Sequence, residues 1–379
     1  MLACSYSSLC SGCDWLLKPA ERQRELKIEN LKSVWERATR QRLPDVQYIP
    51  TAESGLRDRV DLVFDARSGL PRLGLFDRSH REIVDLQGCP MMSPDLESWF
   101  REFRKIRFPI QRGSVRLRVS PNGLRGAWLD FANIDIKNLL DERKTLDRLR
   151  SLAIVEIGQR RKRLVERDGL LKLSDPVLEP WFETWIDNNG SERAIPLYCA
   201  IGTFTQPGFK ANRILVREVR RLVAQSGARA AFEFGSGIGN FTLPLASVCD
   251  HVEVFEIDAL ALEGLQRSLA EADLRAKVEI HRGDFQNSKN KTPGFEKADL
   301  VLVDPPRSGL KSFLDSLETL GSARKPKNFI YVSCFAESFA EDSRRLIDWN
   351  YTLQSITIVD QFPQSRHYEL VAHFSVKKV

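Results

Sequence analysis

The stretch AAFEFGSGIGNFTLPLA, residues 230–246, joins a short apolar run to a helix-compatible run through three closely spaced glycines. Glycines at 235, 237 and 239 let a backbone turn tightly and approach a ligand closely. An acidic residue, Glu256, ends the next apolar run, 19 positions after Gly237, where doubly wound folds bind ribose hydroxyls. The stretch predicts a strand, a ligand-binding loop and a helix at the start of an α/β domain.

The spacing of the glycines bears on which class of ligand the loop binds. Gly-x-Gly-x-Gly followed by Asn240 departs from the dinucleotide fingerprint Gly-x-Gly-x-x-Gly. It resembles instead the loop of S-adenosylmethionine-dependent methyltransferases, in which no pyrophosphate is bound. The resemblance implies that GDF, residues 283–285, places Asp284 near the adenine edge. A plain strand–helix turn is the alternative for the loop alone.

Short β-rich runs recur through the C-terminal half of the chain, with helical stretches between most of them. They lie at 230–234, 251–255, 277–281, 299–303 and 328–333, and a further run at 367–376 has no helix after it. This alternation predicts a parallel, doubly wound sheet with a terminal strand inserted. DPPRSGL, residues 304–310, follows the fourth run and is therefore expected at the ligand crevice, stiffened by its two prolines.

Composition and charge indicate a cytoplasmic protein. The chain has 379 residues, 42% hydrophobic and 28% charged, with a net charge of +6. No apolar run approaches the ~18 residues of a membrane span, and the N-terminus lacks the pattern of a signal peptide. The sequence therefore predicts no membrane association, and the seven cysteines are expected to be free of disulfides.

The N-terminal half predicts smaller elements and a basic surface. Residues 18–42 have helical spacing, 45–92 contain three alternating strand-like runs, and 94–106 predict a helix before the strand SVRLRV at 114–119. Residues 101–119 carry seven Arg or Lys against one acid, and QRRKR follows at 159–163. Such runs form either a solvated face or a site for an anionic partner. If the partner is a nucleic acid, Arg116 and Arg118 are expected to contact phosphates.

Four cysteines form a pattern of their own near the N-terminus, namely Cys4, Cys10, Cys13 and Cys89. Four thiolates complete either a tetrahedral zinc site or a [4Fe–4S] cluster, and spacing alone does not separate these alternatives. A fifth cysteine, Cys334 in YVSC, stands at the end of a predicted buried strand. It is either a small core residue or a nucleophile held at the strand edge.

Four motifs in order, GSGIGNFTLPLA, DPPRSGL, YVSC and DQFPQSRHYEL, resemble those of the RNA 5-methyluridine methyltransferases. The resemblance spans nearly the whole chain, because the N-terminal cysteines match as well. It looks closest to the bacterial members that modify 23S ribosomal RNA and lack an N-terminal TRAM domain, since the cysteine lead begins at residue 4.

The resemblance implies a role for each matching residue. Cys334 falls on the nucleophile and Glu369 on the base that removes a proton from carbon 5 of uracil. The S-adenosylmethionine-binding positions fall on Gln206, Gly235, Asn240, Glu256 and Asp304, and the [4Fe–4S] ligands fall on Cys4, Cys10, Cys13 and Cys89. Three departures from the family pattern bear on the uracil and methionine pockets: Phe335 follows the nucleophile, Gly208 replaces an asparagine, and Gly235 replaces a frequent aromatic residue.

We therefore expect an α/β enzyme with an iron–sulfur and strand-rich region at 1–92, a basic RNA-binding region at 93–195 and a Rossmann-like methyltransferase domain at 196–379. The expected reaction forms 5-methyluridine in structured RNA, 23S ribosomal RNA in particular, through a cysteine adduct at carbon 6, and the enzyme is expected to be a monomer. The alternatives are a methyltransferase acting on tRNA or another base, and an inactive RNA-binding or ribosome-assembly protein that keeps the fold.

Overall fold

The computed structural model describes residues 2–158, 161–188, 190–284, 297–311, 313–315 and 325–377. The chain forms two compact units. The first comprises Met1–Pro19, Ala52–Phe182 and Tyr198–Phe209, and the second comprises Ala20–Thr51, Glu183–Leu197 and Lys210–Val379. These boundaries differ from the expected division at residues 92 and 195. One reason is that residues 46–49 pair with a strand near the C-terminus.

The elements are numbered in chain order. The helices are α1 (Ala20–Thr39), α2 (Pro94–Phe103), α3 (Asn133–Asp141), α4 (Arg143–Leu152), α5 (Phe209–Ser226), α6 (Thr242–Val248), α7 (Ala259–Ala272) and α8 (Ala336–Asp348). The strands of the N-terminal half are β1 (Val46–Ile49), β2 (Arg59–Asp65), β3 (Arg72–Phe76), β4 (Ile83–Asp85), β5 (Arg112–Val119), β6 (Arg125–Phe131), β7 (Ile154–Ile157), β8 (Lys162–Arg167), β9 (Leu170–Ser174), β10 (Glu179–Asn188) and β11 (Ser191–Cys199). Those of the C-terminal half are β12 (Ala230–Phe234), β13 (His251–Glu256), β14 (Val278–Arg282), β15 (Leu300–Val303), β16 (Asn328–Ser333), β17 (Tyr351–Val359) and β18 (Glu369–Val376). Within the described ranges, no helix combines the length and apolarity needed to cross a membrane.

The second unit is built on one eight-stranded sheet with the order β1-β17-β18-β16-β15-β12-β13-β14. The predicted runs of the C-terminal half all form strands of this sheet. The neighbours from β16 to β14 pair in parallel, whereas β18 pairs antiparallel with both β16 and β17. The doubly wound parallel sheet and its inserted terminal strand are thus confirmed. The place of β1 in this sheet is not evident from the sequence, because β1 pairs residues as far apart as Val46 and Ile356.

Local composition explains the central strands and the helix that covers them. β15 and β16 are buried along their whole length, and strands covered on both faces read as continuous apolar runs. The predicted helix at 18–42 forms as α1, and its Trp35 packs on Phe339 of α8 with ring centroids 5.9 Å apart. Aromatic side chains of α1, α8 and the central strands thus share one core.

The first unit contains a second eight-stranded sheet, with the order β4-β3-β2-β5-β6-β7-β8-β9. All its pairs are antiparallel except β6 with β7. Helix α2 begins where Ser93 accepts a hydrogen bond from the backbone N–H of Leu96 and Pro94 takes the first turn, as helix N-termini favour. Its buried face packs into the core of this unit through Trp99, Phe100 and Phe103.

Candidate active site

Cys334 and Glu369 meet at the end of two paired strands. Strand β16 ends one residue before Cys334, and β18 begins at Glu369. The antiparallel register pairs Ser333 with Leu370, so the next position outward sets Cys334 opposite Glu369. Cys334 is half-buried, whereas Glu369 is only 2% exposed. Two residues 35 positions apart in the sequence are therefore neighbours at one strand end.

The environment of the Cys334 thiol is acidic with one basic neighbour. Burial, followed by the charges of Glu369 and Asp304, raises the pKa of Cys334. A hydrogen bond with the guanidinium of Arg307 acts in the opposite direction and favours the thiolate. Arg307 is exposed in the DPPRSGL loop. The sequence motifs assign no role to this arginine, although a cation beside a candidate thiolate is a recognisable signal.

The carboxyl group of Glu369 is buried beside another carboxyl group. Burial, and then the charge of Asp304, raises the pKa of Glu369 well above its usual range. Burial also raises the pKa of Asp304. The side chain of Gln361 donates a hydrogen bond of 2.6 Å from Nε2 to Oε2 of Glu369, which lowers this pKa in part. Gln361 thereby orients the carboxyl group opposite Cys334.

A buried ion pair supports the segment that contains Gln361. Asp360, its neighbour, accepts a hydrogen bond of 2.6 Å from Nζ of Lys27 and another from the hydroxyl of Tyr48. The side chains of Lys27 and Asp360 are 0% and 7% exposed. Lys27 also donates to the carbonyl oxygen of Phe362 at 3.1 Å. Helix α1 thus holds the loop between β17 and β18.

Asp342 of helix α8 holds the DPPRSGL loop through hydrogen bonds. Oδ2 of Asp342 accepts hydrogen bonds from the backbone N–H of Leu310 at 2.8 Å and from the hydroxyl of Tyr331 at 2.6 Å. Gly309 has a positive φ of 76°, and a Cβ atom there would lie 2.6 Å from the same carboxylate. These contacts add to the two prolines in fixing the loop that presents Asp304 and Arg307.

The glycine loop has the backbone conformation that its sequence predicts. Gly235, Gly237 and Gly239 all have positive φ angles, of 76°, 54° and 94°. A Cβ atom on Gly239 would lie 2.5 Å from Leu265, whereas one on Gly237 would meet nothing within 4 Å. The backbone at Gly237 therefore borders open space, which suits a loop that approaches a ligand.

Two polar groups at or beside this loop bear on ligand binding, Glu256 at the end of β13 and Ser236 in the loop itself. The carboxylate of Glu256 accepts hydrogen bonds from the backbone N–H groups of Gly237, Ile257 and Asp258 at 2.7–2.9 Å. The hydroxyl of Ser236 is buried and has no hydrogen-bond partner among the described residues. Because buried polar groups are normally satisfied, this hydroxyl indicates a ligand or water at the loop. The residues present therefore fit a bound S-adenosylmethionine.

Asn240 has a different environment from the one expected. Its side-chain amide pairs reciprocally with that of Asn212 in α5, with N–O distances of 2.8 and 2.9 Å. Its carbonyl oxygen accepts a hydrogen bond of 2.7 Å from the hydroxyl of Thr184. Both ends of the amide are thus used to hold the loop against α5, a contact that sequence analysis could not detect. Asp284 is exposed after β14, and Phe285 lies outside the described residues.

Gln206 and Gly208 lie in the first unit. Gln206 is buried, and the structure does not test its expected role in binding the cofactor. Backbone packing explains why a glycine stands at position 208. A Cβ atom on Gly208 would lie 1.7 Å from the carbonyl oxygen of Leu56. The backbone N–H of the next residue, Phe209, donates to Asp58 at 2.8 Å. This close backbone approach excludes the asparagine that the family pattern has at this position.

The four N-terminal cysteines, also in the first unit, line one cavity. Its volume is about 310 Å³, and Cys4, Cys10, Cys13 and Cys89 all face it. Burial and the neighbouring thiols raise the pKa of Cys13 to about 12. No three of these sulfur atoms lie within 4.8 Å of one another in the described part of the chain. In a tetrahedral zinc site with Zn–S bonds of about 2.3 Å, the sulfur atoms would be about 3.8 Å apart.

Arg116 and Arg118, which are expected to contact phosphates, differ in burial. Arg118 is 1% exposed and donates to the carbonyl oxygens of Ala200, Ile201 and Trp181. Arg116 pairs with Asp61 at 2.5 Å, and its side chain is 15% exposed. Both arginines share one face of β5, as predicted, but that face is covered at Arg118, so the prediction for Arg118 is wrong. In the second basic run, Arg163 is paired with Glu179, and residues 159 and 160 lie outside the described residues.

Comparison with known proteins identifies the family of the chain. The family model described as tRNA (uracil-5-)-methyltransferase matches residues 190–376. An uncharacterised RNA methyltransferase of Bdellovibrio bacteriovorus is 42% identical over 97% of this chain and 94% of its own length. The 23S rRNA (uracil(1939)-C(5))-methyltransferase RlmD of Shewanella halifaxensis is 25% identical over 99% of this chain and 81% of its own.

A solved structure shares the fold. The tRNA (uracil-54, C5)-methyltransferase of Pyrococcus abyssi, determined with S-adenosyl-L-homocysteine, superposes with a TM-score of 0.66 at 22% identity, over 97% of this chain and 86% of that one. The resemblance stated from the four motifs is thus confirmed. The chain belongs to the family of S-adenosylmethionine-dependent RNA uracil-5-methyltransferases.

Proposed function

We propose that this enzyme methylates carbon 5 of a uridine in 23S ribosomal RNA through a covalent adduct between Cys334 and carbon 6. The observation that supports the adduct most directly is the register of β16 and β18, which sets the Cys334 thiol opposite the Glu369 carboxyl group. The 23S assignment is supported by the RlmD relatives, which align with 99% of the chain. The tRNA enzymes named by the family model and the Pyrococcus structure make tRNA the alternative substrate.

The residues of the site match the demands of this reaction. Carbon 5 of uracil is a weak nucleophile, and addition of the Cys334 thiolate to carbon 6 converts the ring into an enolate that is reactive at carbon 5. The guanidinium of Arg307 favours the thiolate before attack. S-adenosylmethionine, when bound, supplies the methyl group. Glu369 then accepts the proton from carbon 5, the carbon 5–carbon 6 double bond reforms, and the sulfur–carbon bond breaks to release Cys334.

The raised pKa of Glu369 suits its proposed role. A carboxylate with an ordinary pKa is a weak base near neutral pH, whereas one whose pKa is raised by burial accepts a proton more readily. Gln361 holds this carboxyl group by a 2.6 Å hydrogen bond. For the cofactor, we propose Ser236 and the glycine loop, with Glu256, Asp304 and Gln206, as the binding groups. Asn240, whose amide is paired with Asn212, would position this loop.

We further propose that Cys4, Cys10, Cys13 and Cys89 hold a closed [4Fe–4S] cluster with a structural role. The four cysteines that line one cavity match the four-cysteine ligand set of such clusters. Because no three of these sulfur atoms lie within 4.8 Å of one another, their arrangement favours a group wider than a single zinc ion. With all four irons ligated, none is open for radical chemistry on the cofactor.

The two halves of the mechanism can be tested separately. Cys334→Ala should abolish methyl transfer and retain cofactor binding, because the thiol acts only in the attack. Glu369→Gln should still attack and methylate but release slowly, so a protein–RNA adduct should survive denaturing electrophoresis. Glu341→Gln, an exposed acid of α8, is the control and should turn over normally.

The substrate is tested with unmodified 23S ribosomal RNA and unmodified tRNA in parallel. We expect methylation of the ribosomal RNA, and 5-fluorouridine in its target site should trap the wild-type enzyme. Methylation by Cys334→Ala would reject the adduct, and exclusive methylation of tRNA would reject the substrate. Failure of the wild type to methylate either RNA would favour an RNA-binding or assembly role.

A further inference from the structure

Two histidines and two glutamates meet on one face of adjacent strands, outside the site described above. His251 and Glu253 are two positions apart on β13, and Glu279 and His281 are two positions apart on β14. Side chains two positions apart on a strand share a face. The register places Glu253 directly opposite Glu279. Strand β14 is the last strand at its edge of the sheet.

The four side chains alternate around a ring. Nε2 of His281 lies 3.0 Å from Glu253 and 3.4 Å from Glu279. Nε2 of His251 lies 3.6 Å from Glu253 and 4.0 Å from Glu279. Each imidazole therefore stands between two carboxylates, and each carboxylate stands between two imidazoles. One ligand atom from each of His251, Glu253 and Glu279 can be chosen so that all three lie within 4.8 Å of one another.

The charges of this ring are poorly balanced by the protein itself. Like charges directly opposite on neighbouring strands are destabilising, and Glu253 and Glu279 are such a pair. In the described part of the chain, their only ion-pair partners within 4.0 Å are the two imidazoles, which are neutral unless protonated. The Glu253 side chain is only 12% exposed. A bound cation would remove this repulsion.

The ring is also held in place. The imidazole of His281 stacks on Phe255 with ring centroids 4.6 Å apart and an angle of 16° between the planes. Phe255 in turn stacks on Phe234 of the central strand β12 at 4.9 Å. Stacking on these core aromatic rings therefore fixes the orientation of the His281 imidazole.

We propose that His251, Glu253, Glu279 and His281 bind one divalent transition-metal ion of the Zn²⁺ class. Imidazole ligands select such metals over Ca²⁺ and Mg²⁺, which prefer oxygen alone. Zinc–ligand bonds of about 2.0–2.2 Å imply ligand–ligand distances of about 3.3–3.5 Å around a tetrahedron. Ligand atoms of His251, Glu253 and Glu279 already lie within 4.8 Å of one another. Nε2 of His281 lies 3.0 Å and 3.4 Å from oxygen atoms of the two glutamates, so we infer that it completes the ligand set after side-chain movement.

The bound ion joins the edge strand to its neighbour. Its ligands come in equal number from β13 and β14, so it acts as a clip across the only strand pairing that β14 makes among the described residues. The same two strands lead into Glu256 and Asp284 at their carboxyl ends. Metal binding should therefore slow the opening of this edge.

X-ray absorption of the full chain loaded with two equivalents of Zn²⁺ tests the proposal. Zinc held by cysteine gives bonds of about 2.3 Å, whereas zinc held by imidazole and carboxylate gives bonds of about 2.0–2.1 Å. We expect a nitrogen and oxygen component in the wild type that is lost in His251→Ala/His281→Ala. Glu279→Gln, which keeps the side-chain size, should weaken the corresponding Zn²⁺ affinity at least ~10-fold, as loss of a group that supports a metal site does. Glu263→Gln on the exposed side of α7 is the matched control and should bind as the wild type does.

Hydrogen exchange gives a second measurement. Zn²⁺ should slow the exchange of the β14 amides in the wild type and in Glu263→Gln, but not in Glu279→Gln. A spectrum that shows sulfur ligands alone would overturn the proposal. So would equal Zn²⁺ affinity of the wild type and Glu279→Gln, which would reduce the ring to four ion-paired side chains.

Discussion

Replacing Lys27 by methionine tests whether the buried ion pair under the active-site loop stabilises the second unit. The substitution keeps the length of the side chain and removes the ammonium group that lies 2.6 Å from Asp360. Asp360 would then remain buried with the Tyr48 hydroxyl as its other side-chain partner. Removing one partner of a buried pair costs about 3–5 kcal/mol, because the remaining charge is uncompensated. For a unit of this size, each 1 kcal/mol lowers the melting temperature by about 2–4 °C, so the expected loss is roughly 6–20 °C.

Thermal unfolding followed by circular dichroism measures this loss, and an exposed pair in the same unit is the control. Lys327 lies 3.5 Å from Asp299 with its side chain 80% exposed, so Lys327→Met should cost no more than about 1 kcal/mol. Adding Asp360→Asn to Lys27→Met should recover part of the loss, because it removes the stranded charge. Equal melting temperatures for the two lysine variants would refute the reasoning.

Three further predictions concern the thiols and the basic surface. Burial and two carboxylates raise the pKa of Cys334, so its alkylation by iodoacetamide should be slow at pH 7. The alkylation rate should rise with pH through a midpoint above that of a free thiol, about 8.5, and Arg307→Leu should shift this midpoint upward. Alkylation faster than that of a free thiol would contradict the assignment. Anaerobically purified protein should contain about four irons and four sulfides per chain, and stoichiometric zinc in their place would reject the cluster. If Arg107, which is exposed, contacts a phosphate, Arg107→Ala should reduce the slope of log binding constant against log salt concentration by ~0.7. Arg118→Leu should lower the stability of the protein instead. An effect of Arg118→Leu on this slope alone would show that the burial of Arg118 is misjudged.

Much of the second unit could be predicted because its signals are local. The run from Ala230 to Phe234, the three glycines and the acid at Glu256 lie within one strand–helix–strand unit, and positive φ at a glycine is a property of a few consecutive residues. Three of the four motifs begin directly after a strand, and YVSC spans the end of β16. They were sufficient to recognise the family and to nominate Cys334 and Glu369.

The contacts that complete the site could not be predicted, because they join residues far apart in the chain. The pairing of Asn240 with Asn212 and the bond from Gln361 to Glu369 depend on how α5, β17 and β18 pack. The burial of two cationic side chains could not be predicted for the same reason. Lys27 and Arg118 lie in segments whose composition is typical of a charged surface, yet both are almost fully buried.

The sequence by itself therefore determined the succession of strands and helices, the conformation of the glycine loop and the chemical types at the reacting positions, since each follows from short-range periodicity and residue chemistry. Only the tertiary structure decided which charges are buried, that β1 joins the C-terminal sheet, and that two histidines and two glutamates meet near its edge. Strand pairing sets these outcomes, because register brings together side chains that no local pattern relates.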